Sequence, residues 1–180
     1  MREFITKPIV FIGMMGSGKS TIGKRLARKL NLQFYDSDKV IEEREGLSIV
    51  DIYDFKGEEY FRNKEYDIVK EILGYGTVIL STGGSTFLND ELRGIIKEKA
   101  ISIWLYADID ILYSRVIRRN TRPELNSYAG DKKEILQKLM DERYPIYSQA
   151  DITVESKDFD VHYIVDTVMA RLRKYVTPSP

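Results

Sequence analysis

No cysteine occurs among the 180 residues, which excludes disulfides, thiolate nucleophiles and cysteine-based metal sites. Histidine occurs once, at His162; with no second imidazole to complete a metal site, it reads as a solvated or half-buried side chain of a C-terminal helix. An excess of charge of either sign is also lacking, since Lys+Arg and Asp+Glu are both 28. Nonspecific nucleic-acid binders draw their affinity from neutralising phosphates, so a neutral chain is a poor member of that class. No apolar run approaches the ~18 residues of a membrane span, and the N-terminus shows neither the apolar core of a secretory signal nor an Arg/Ser-rich transit stretch. These absences predict a cytoplasmic chain without nucleic-acid or membrane partners. Its length suits one α/β domain with a sizeable core.

What is present is concentrated near the N-terminus. Residues 13 to 20 read Gly13-Met14-Met15-Gly16-Ser17-Gly18-Lys19-Ser20, which fits the phosphate-binding pattern G-x-x-x-x-G-K-[ST] at every fixed position. The glycines let the backbone turn several N–H groups inward as a nest for phosphate oxygens. Lys19 can then reach the β- and γ-phosphates, and the Ser20 hydroxyl is placed to ligate Mg²⁺. The apolar run Pro8-Ile9-Val10-Phe11-Ile12 precedes the loop, and Ile22, Leu26 and Leu30 recur every four residues after it, one face of a helix. Strand, glycine loop and helix are the setting the motif needs, with a helix N-terminus aimed at the phosphates.

Five short apolar runs predict strands: Ile9–Ile12, Leu32–Tyr35, Thr77–Leu80, Ile101–Tyr106 and Ile152–Val154. Between and after them, helices are predicted at Ser17–Leu30, Ser37–Glu45, Ser48–Phe55, Glu58–Leu73, Asn89–Lys99, Asp108–Arg118, Lys132–Tyr147 and Val161–Tyr175. Ser48 with Asp51 forms an acidic variant of the capping box, Gly74 and Gly76 stop the long helix, and Asn89 caps the next. Such alternation implies a parallel sheet covered on both faces, with ligands bound beyond the carboxyl ends of its strands. Chemistry should therefore follow each apolar run.

The second run is followed by Asp36-Ser37-Asp38. Carboxylates two apart at a strand end can point the same way, one toward Mg²⁺ through water and the other toward a substrate hydroxyl; alternatively Ser37 or Asp38 caps the next helix. The third run ends Ser81-Thr82-Gly83-Gly84-Ser85, where paired glycines suit either close approach to a ligand or a plain turn. At the fourth, a helix cap is the stronger account of Asp108. Between the second and third strands lies a helical insert of about forty residues, too long for a plain crossover. In it Arg62 stands four residues after Glu58 and three before Glu65, the spacing of an ordinary helix-surface ion pair.

Arg115, Arg118, Arg119 and Arg122 cluster at a helix end before Pro123, and polar residues with Gly130 follow. A basic, mobile segment opposite a phosphate loop suits a lid that closes over nucleotide and supplies a cation to the transferring phosphoryl group. Basic residues also complement a helix C-terminus. Arg143 stands near another helix end, and the twelve tyrosines read as packing residues.

Together these pieces resemble the shikimate kinases, small P-loop kinases of the nucleoside-monophosphate-kinase fold, from Ile9 to about Leu172. The phosphate loop with its trailing Ser20-Thr21-Ile22-Gly23-Lys24-Arg25-Leu26-Ala27 is similar to the family's M-G-x-G-K-S-T-x-G-x-x-L-A. Asp36-Ser37-Asp38 matches its D-x-D, Phe61-Arg62 with Glu65 its F-R-x-x-E, and Leu80-Ser81-Thr82-Gly83-Gly84 its glycine turn. Thr121-Arg122-Pro123-Glu124-Leu125 matches the lid region and Arg143-Tyr144-Pro145-Ile146-Tyr147 the late R-x-P-x-Y. Two departures stand out: Ser85 replaces a third glycine, and Glu124 separates the lid's Pro from its Leu.

The resemblance implies an α/β fold of three layers, α/β/α, with a five-stranded parallel sheet of P-loop kinase type. Residues 1–180 would form one domain, with a substrate-binding insert at about 37–74 and a lid at about 119–131. ATP would pass its γ-phosphoryl group to the 3-hydroxyl of shikimate, with Lys19, Asp38 and Arg122 catalytic. Gly13, Met14, Met15, Gly16, Ser17, Gly18, Lys19, Ser20 and Thr21 would hold ATP, with Arg118 or Arg119 on the adenine. Asp38, Arg62, Gly83, Gly84 and Arg143 would bind shikimate, the arginines taking its carboxylate, since a guanidinium fork suits that group. Ser20 and Asp36 would serve Mg²⁺. The protein would be a monomer. Another small P-loop kinase of the gluconate type, or a noncatalytic ATP-binding regulatory module, are the alternatives.

Overall fold

The computed structural model describes residues 4–117, 130–157 and 160–177. Five strands, β1 (Ile9–Ile12), β2 (Phe34–Asp36), β3 (Ile79–Ser81), β4 (Ile101–Tyr106) and β5 (Ile152–Glu155), form one sheet in the order β2-β3-β1-β4-β5. Every pairing in it is parallel. Among the described residues the helices are α1 (Lys19–Leu30), α2 (Ser37–Glu45), α3 (Ile49–Leu73), α4 (Asp90–Lys99), α5 (Ile109–Ile117), α6 (Lys132–Tyr147) and α7 (Val161–Val176), with a 3₁₀ turn at Thr86–Leu88. None of them is long and apolar enough to cross a membrane.

The two faces of the sheet bury separate cores, because alternate strand residues point to opposite sides. Val10 and Ile12 of β1 join a cluster with Ile68 and Ile72 of α3, Leu92 of α4, Leu112 of α5 and Leu139 of α6. Ile9 and Phe11 of the same strand face Ile22 and Leu26 of α1 and Val165 and Val168 of α7. With both faces covered, β1 is buried at all four positions, which is why it reads as an unbroken apolar run. The expected architecture is therefore the observed one. On α1, Gly23 is needed for space: a β-carbon there would stand 2.6 Å from the Phe34 ring.

Helix ends follow their local chemistry. Ser48 Oγ accepts from the Asp51 N–H at 3.1 Å and Asn89 Oδ1 from the Leu92 N–H at 2.9 Å, as their side chains predict. Asp36, rather than Ser37 or Asp38, caps α2 through the Lys39 N–H at 3.4 Å, which leaves Asp38 inside the first helical turn. The Asp108 carboxylate accepts from the Tyr106 hydroxyl at 2.7 Å while its carbonyl accepts from the Leu112 N–H. The helices expected at Ser48–Phe55 and Glu58–Leu73 run as one element, α3, broken at Gly57, whose φ of 84° and ψ of 168° are non-helical. Helix α1 starts at Lys19, two residues after its expected start, because Gly16 and Gly18 hold positive φ values of 79° and 98°. Strands β2 and β3 lie one to two residues further along than the apolar runs indicate, ending on the register pair Asp36–Ser81.

Candidate active site

The carboxyl ends of β1, β2 and β3 carry the phosphate loop, Asp36 and the glycine turn. The loop is pressed onto β4: a β-carbon on Gly13 would lie 2.8 Å from the Leu105 carbonyl oxygen, and its φ is +137°. Lys19 is 8% exposed. Its Nζ donates to the Gly13 and Met14 carbonyls at 2.8 and 2.9 Å, so the ammonium is held over the loop. Two further contacts brace the loop's carbonyls. Arg115 Nη1 donates to Gly16 O at 3.3 Å and to Ser156 Oγ at 3.1 Å, and Ser156 Oγ donates to Ser17 O at 2.8 Å. Arg115 Nη2 reaches the Lys157 carbonyl at 3.2 Å. Arg115 was visible in the sequence only as one of a basic cluster, and Ser156 not at all.

Beside the loop, Ser20 Oγ donates to Asp36 Oδ2 at 2.5 Å and lies 3.2 Å from Ser81 Oγ. A carboxylate with two hydroxyls is a set of hard oxygen donors, the kind Mg²⁺ takes alongside phosphate oxygens and water. The residues present therefore fit that ion. Ser81 joins them through its register with Asp36 across the β2–β3 pair, which no spacing along the chain reveals.

Facing the loop is a polar cluster around the glycine turn. A β-carbon on Gly83 would stand 2.9 Å from Glu65 Oε1 and 3.1 Å from Asp38 Oδ1. One on Gly84 would stand 3.4 Å from Arg143 Nη1 and 3.7 Å from the Met15 nitrogen. The paired glycines thus make room for close approach of α2, α3, α6 and the phosphate loop, so the turn is more than a plain reversal. Arg143 and Tyr147 sit four apart on α6, one helix face; Arg143 is 8% exposed, and the Tyr147 hydroxyl donates to the Gly84 carbonyl. Tyr144 donates to Ala107 O at 2.5 Å, and burial pushes its phenol well above the ordinary value. Trp104 of β4 contacts the rings of Tyr106, Tyr144 and Tyr147.

Arg62 reaches the same turn. It donates to Glu58, to Glu65 and, across to the turn, to Ser85 Oγ. Burial works against its charge, but Glu65, Tyr53 and Glu58 hold the guanidinium above its ordinary value. The helix-surface ion pair expected from spacing exists, and it is one part of a larger network. Ser85, the departure from the glycine pattern, has φ −99°, a backbone any residue adopts.

Asp38, Arg62, Gly83, Gly84 and Arg143 are thus brought together opposite Gly13–Ser20, with Ser20 and Asp36 at the edge. Arg118, Arg119 and Arg122, and most of the expected lid, lie outside the described residues. Sequence reasoning gave no role to Thr86 or Tyr147 and saw Glu65 only as a surface ion-pair partner of Arg62; motif position was the one further signal for Glu65 and the only one for Tyr147. His162 is exposed, 3.0 Å from Arg25 Nη1, apart from this cleft. Among the described residues no group of three or more His, Cys, Asp or Glu side chains is placed to hold a metal.

Comparison with known proteins bears on this arrangement. The family model described as shikimate kinase matches residues 15–173. Among curated relatives, shikimate kinase of Rhodopseudomonas palustris is 44% identical over 174 residues, 97% of this chain and 85% of that protein. That of Bartonella quintana is 39% identical, covering 94% of this chain and 80% of its own. Among solved structures, shikimate kinase from Acinetobacter baumannii in complex with shikimate has a TM-score of 0.87 at 29% identity, over 92% of both chains. Shikimate kinase from Aquifex aeolicus has 0.80 at 32% identity, over 96% of this chain and 99% of its own. A gluconokinase from Sinorhizobium meliloti, at 18% identity and a TM-score of 0.56 over 92% of this chain and 93% of its own, shares the fold alone.

Proposed function

The chain belongs to the shikimate kinase family, whose reaction passes a phosphoryl group from ATP to shikimate, and we propose that Lys19, Asp38 and Arg122 carry that transfer here. The observation that supports this reading is the gathering of Asp38, Arg62 and Arg143 around Gly83 and Gly84, directly across from the phosphate loop. Residues Gly13 to Thr21 bind the phosphates of ATP, Arg118 or Arg119 meets the adenine, and the Arg62 and Arg143 guanidiniums take the shikimate carboxylate. Asp38 accepts a hydrogen bond from the 3-hydroxyl and takes its proton as the oxygen attacks the γ-phosphorus. The transition state is loose and spreads charge over the equatorial oxygens, so Lys19 and the lid's Arg122 act by neutralising it. Ser20 and Asp36 hold Mg²⁺, which when bound supplies further neutralisation of the phosphates.

The same reading takes residues 1–180 as one domain, with its acceptor-binding insert at about 37–74 and its lid at about 119–131. It takes the enzyme as a cytoplasmic monomer.

The test is ADP release from Mg·ATP by the purified protein with shikimate, with gluconate and with neither. Release that depends on shikimate is expected. Release with gluconate instead would reassign the acceptor, and silence in all three with ATP still bound would favour a noncatalytic module.

A further inference from the structure

Arg62 spends its donors along two edges of unequal character. On one, Nη1 donates to Ser85 Oγ and, at 3.3 Å, to Glu65 Oε2. Glu65 is 2% exposed, and its other oxygen accepts from Thr86 Oγ1 at 2.5 Å. On the second edge, Nε and Nη2 both donate to a single oxygen, Glu58 Oε1, at 3.3 and 3.0 Å. The Glu58 side chain is 66% exposed.

The Nε/Nη2 edge is one a planar carboxylate takes with two parallel hydrogen bonds. A carboxylate already sits on it, and it belongs to the chain. We propose that Glu58 is an internal stand-in for the acceptor's carboxylate, which shikimate must displace to bind, while Glu65 and Ser85 keep the guanidinium aimed. This rests on the reading that Arg62 binds that carboxylate. The asymmetry makes the exchange one-sided. An exposed pair four residues apart on a helix contributes little and is released cheaply into water. A buried carboxylate cannot lose its cation without a large desolvation cost. Ser85 holds the fixed edge through a neutral acceptor, so Nη1 is anchored at the turn without a second buried charge. Glu58 therefore sets how tightly this site takes an anionic acceptor, and does so by competing for the same two N–H groups.

The experiment is shikimate binding to the wild type, Glu58→Gln, Glu58→Ala and Arg62→Ala, repeated with the neutral carboxamide of shikimate. Both Glu58 variants should bind shikimate about two- to fivefold more tightly, the scale of an exposed ion pair. The gain should appear in the KM for shikimate and not in that for ATP, and be absent with the carboxamide. Equal or weaker shikimate binding by both folded Glu58 variants overturns the proposal, as does an equal gain with the carboxamide. Arg62→Ala binding shikimate as the wild type does would instead overturn the underlying assignment of Arg62; weak binding by Arg62→Ala beside unchanged Glu58 variants would overturn the displacement alone.

Discussion

The two walls of the cleft are built from different materials. On the nucleotide wall the contacts that brace the phosphate loop end on backbone: Lys19 on the Gly13 and Met14 carbonyls, Arg115 on Gly16 and Ser156 on Ser17, with Thr82 Oγ1 likewise on Phe11. On the acceptor wall the network around Arg62 joins side chain to side chain: Arg62 to Glu58, Glu65 and Ser85, and Thr86 to Glu65. A backbone site needs a short local run of glycines and tolerates exchange of its neighbours. A side-chain site needs several elements to arrive together, and each residue depends on the next. On the proposed assignment, the nucleotide wall would take any phosphate of the right shape and discrimination would reside in the acceptor wall.

Three substitutions or titrations probe this division, in order of expected effect. Asp38→Asn should lower kcat by at least about a thousandfold, within the range a positioned base contributes, while the Kd for ATP stays within about twofold. A comparable loss of ATP binding would show that the walls are coupled. Arg143→Ala should weaken shikimate binding by roughly 30- to 150-fold, the loss of a charged hydrogen bond of about 2–3 kcal/mol. Its thermal midpoint should be measured alongside, because an Arg143 that only props up α6 would lower stability and leave affinity in the folded fraction intact.

The smallest effect is in acid. Lys56, with Tyr60 and Lys64, holds Glu45 down from 4.5 to about 2, and Arg44, with Tyr75, does the same for Glu71. Both pairs tie α2 to α3 on the acceptor wall. A depressed carboxylate stabilises the fold fully above its unfolded value and loses that contribution as the pH falls through its folded one. Insert docking should therefore weaken between about pH 4.5 and 2. The double variant Glu45→Gln, Glu71→Gln should be less stable at neutral pH, with a flatter acid dependence in that window. An unchanged profile would assign acid sensitivity elsewhere.

The same contrast explains how much of the fold and the site is legible in the residues alone. The phosphate loop, β1, β4, α2 and α6 are legible because each follows from a local pattern: an apolar run, a glycine spacing, a cap. Strands β2 and β3 were displaced because polar residues, Asp36 and Ser81, complete their pairing, and hydrophobic patterning is blind to those. The capping role of Asp36 was given to its neighbours because three consecutive residues offer side chains of the same kind. Arg62 could not be assigned from spacing, since its partner Ser85 lies 23 positions away and a four-residue interval to Glu58 looks like any surface pair. The lid's arginines fall outside the described residues, so their part stands on resemblance.

Trp104 has a consequence of its own. It is the sole tryptophan, 7% exposed, and its indole Nε1 makes no hydrogen bond among the described residues. Its Cδ1 would lie 3.3 Å from a β-carbon on Gly13, and its ring touches Tyr144 and Tyr147 on the helix that carries Arg143. The indole is therefore wedged between the nucleotide loop and the acceptor helix. Light absorbed at the red edge of the aromatic band is emitted from that one position, giving the protein a built-in fluorophore at the seam between the phosphate loop and the helix that carries Arg143.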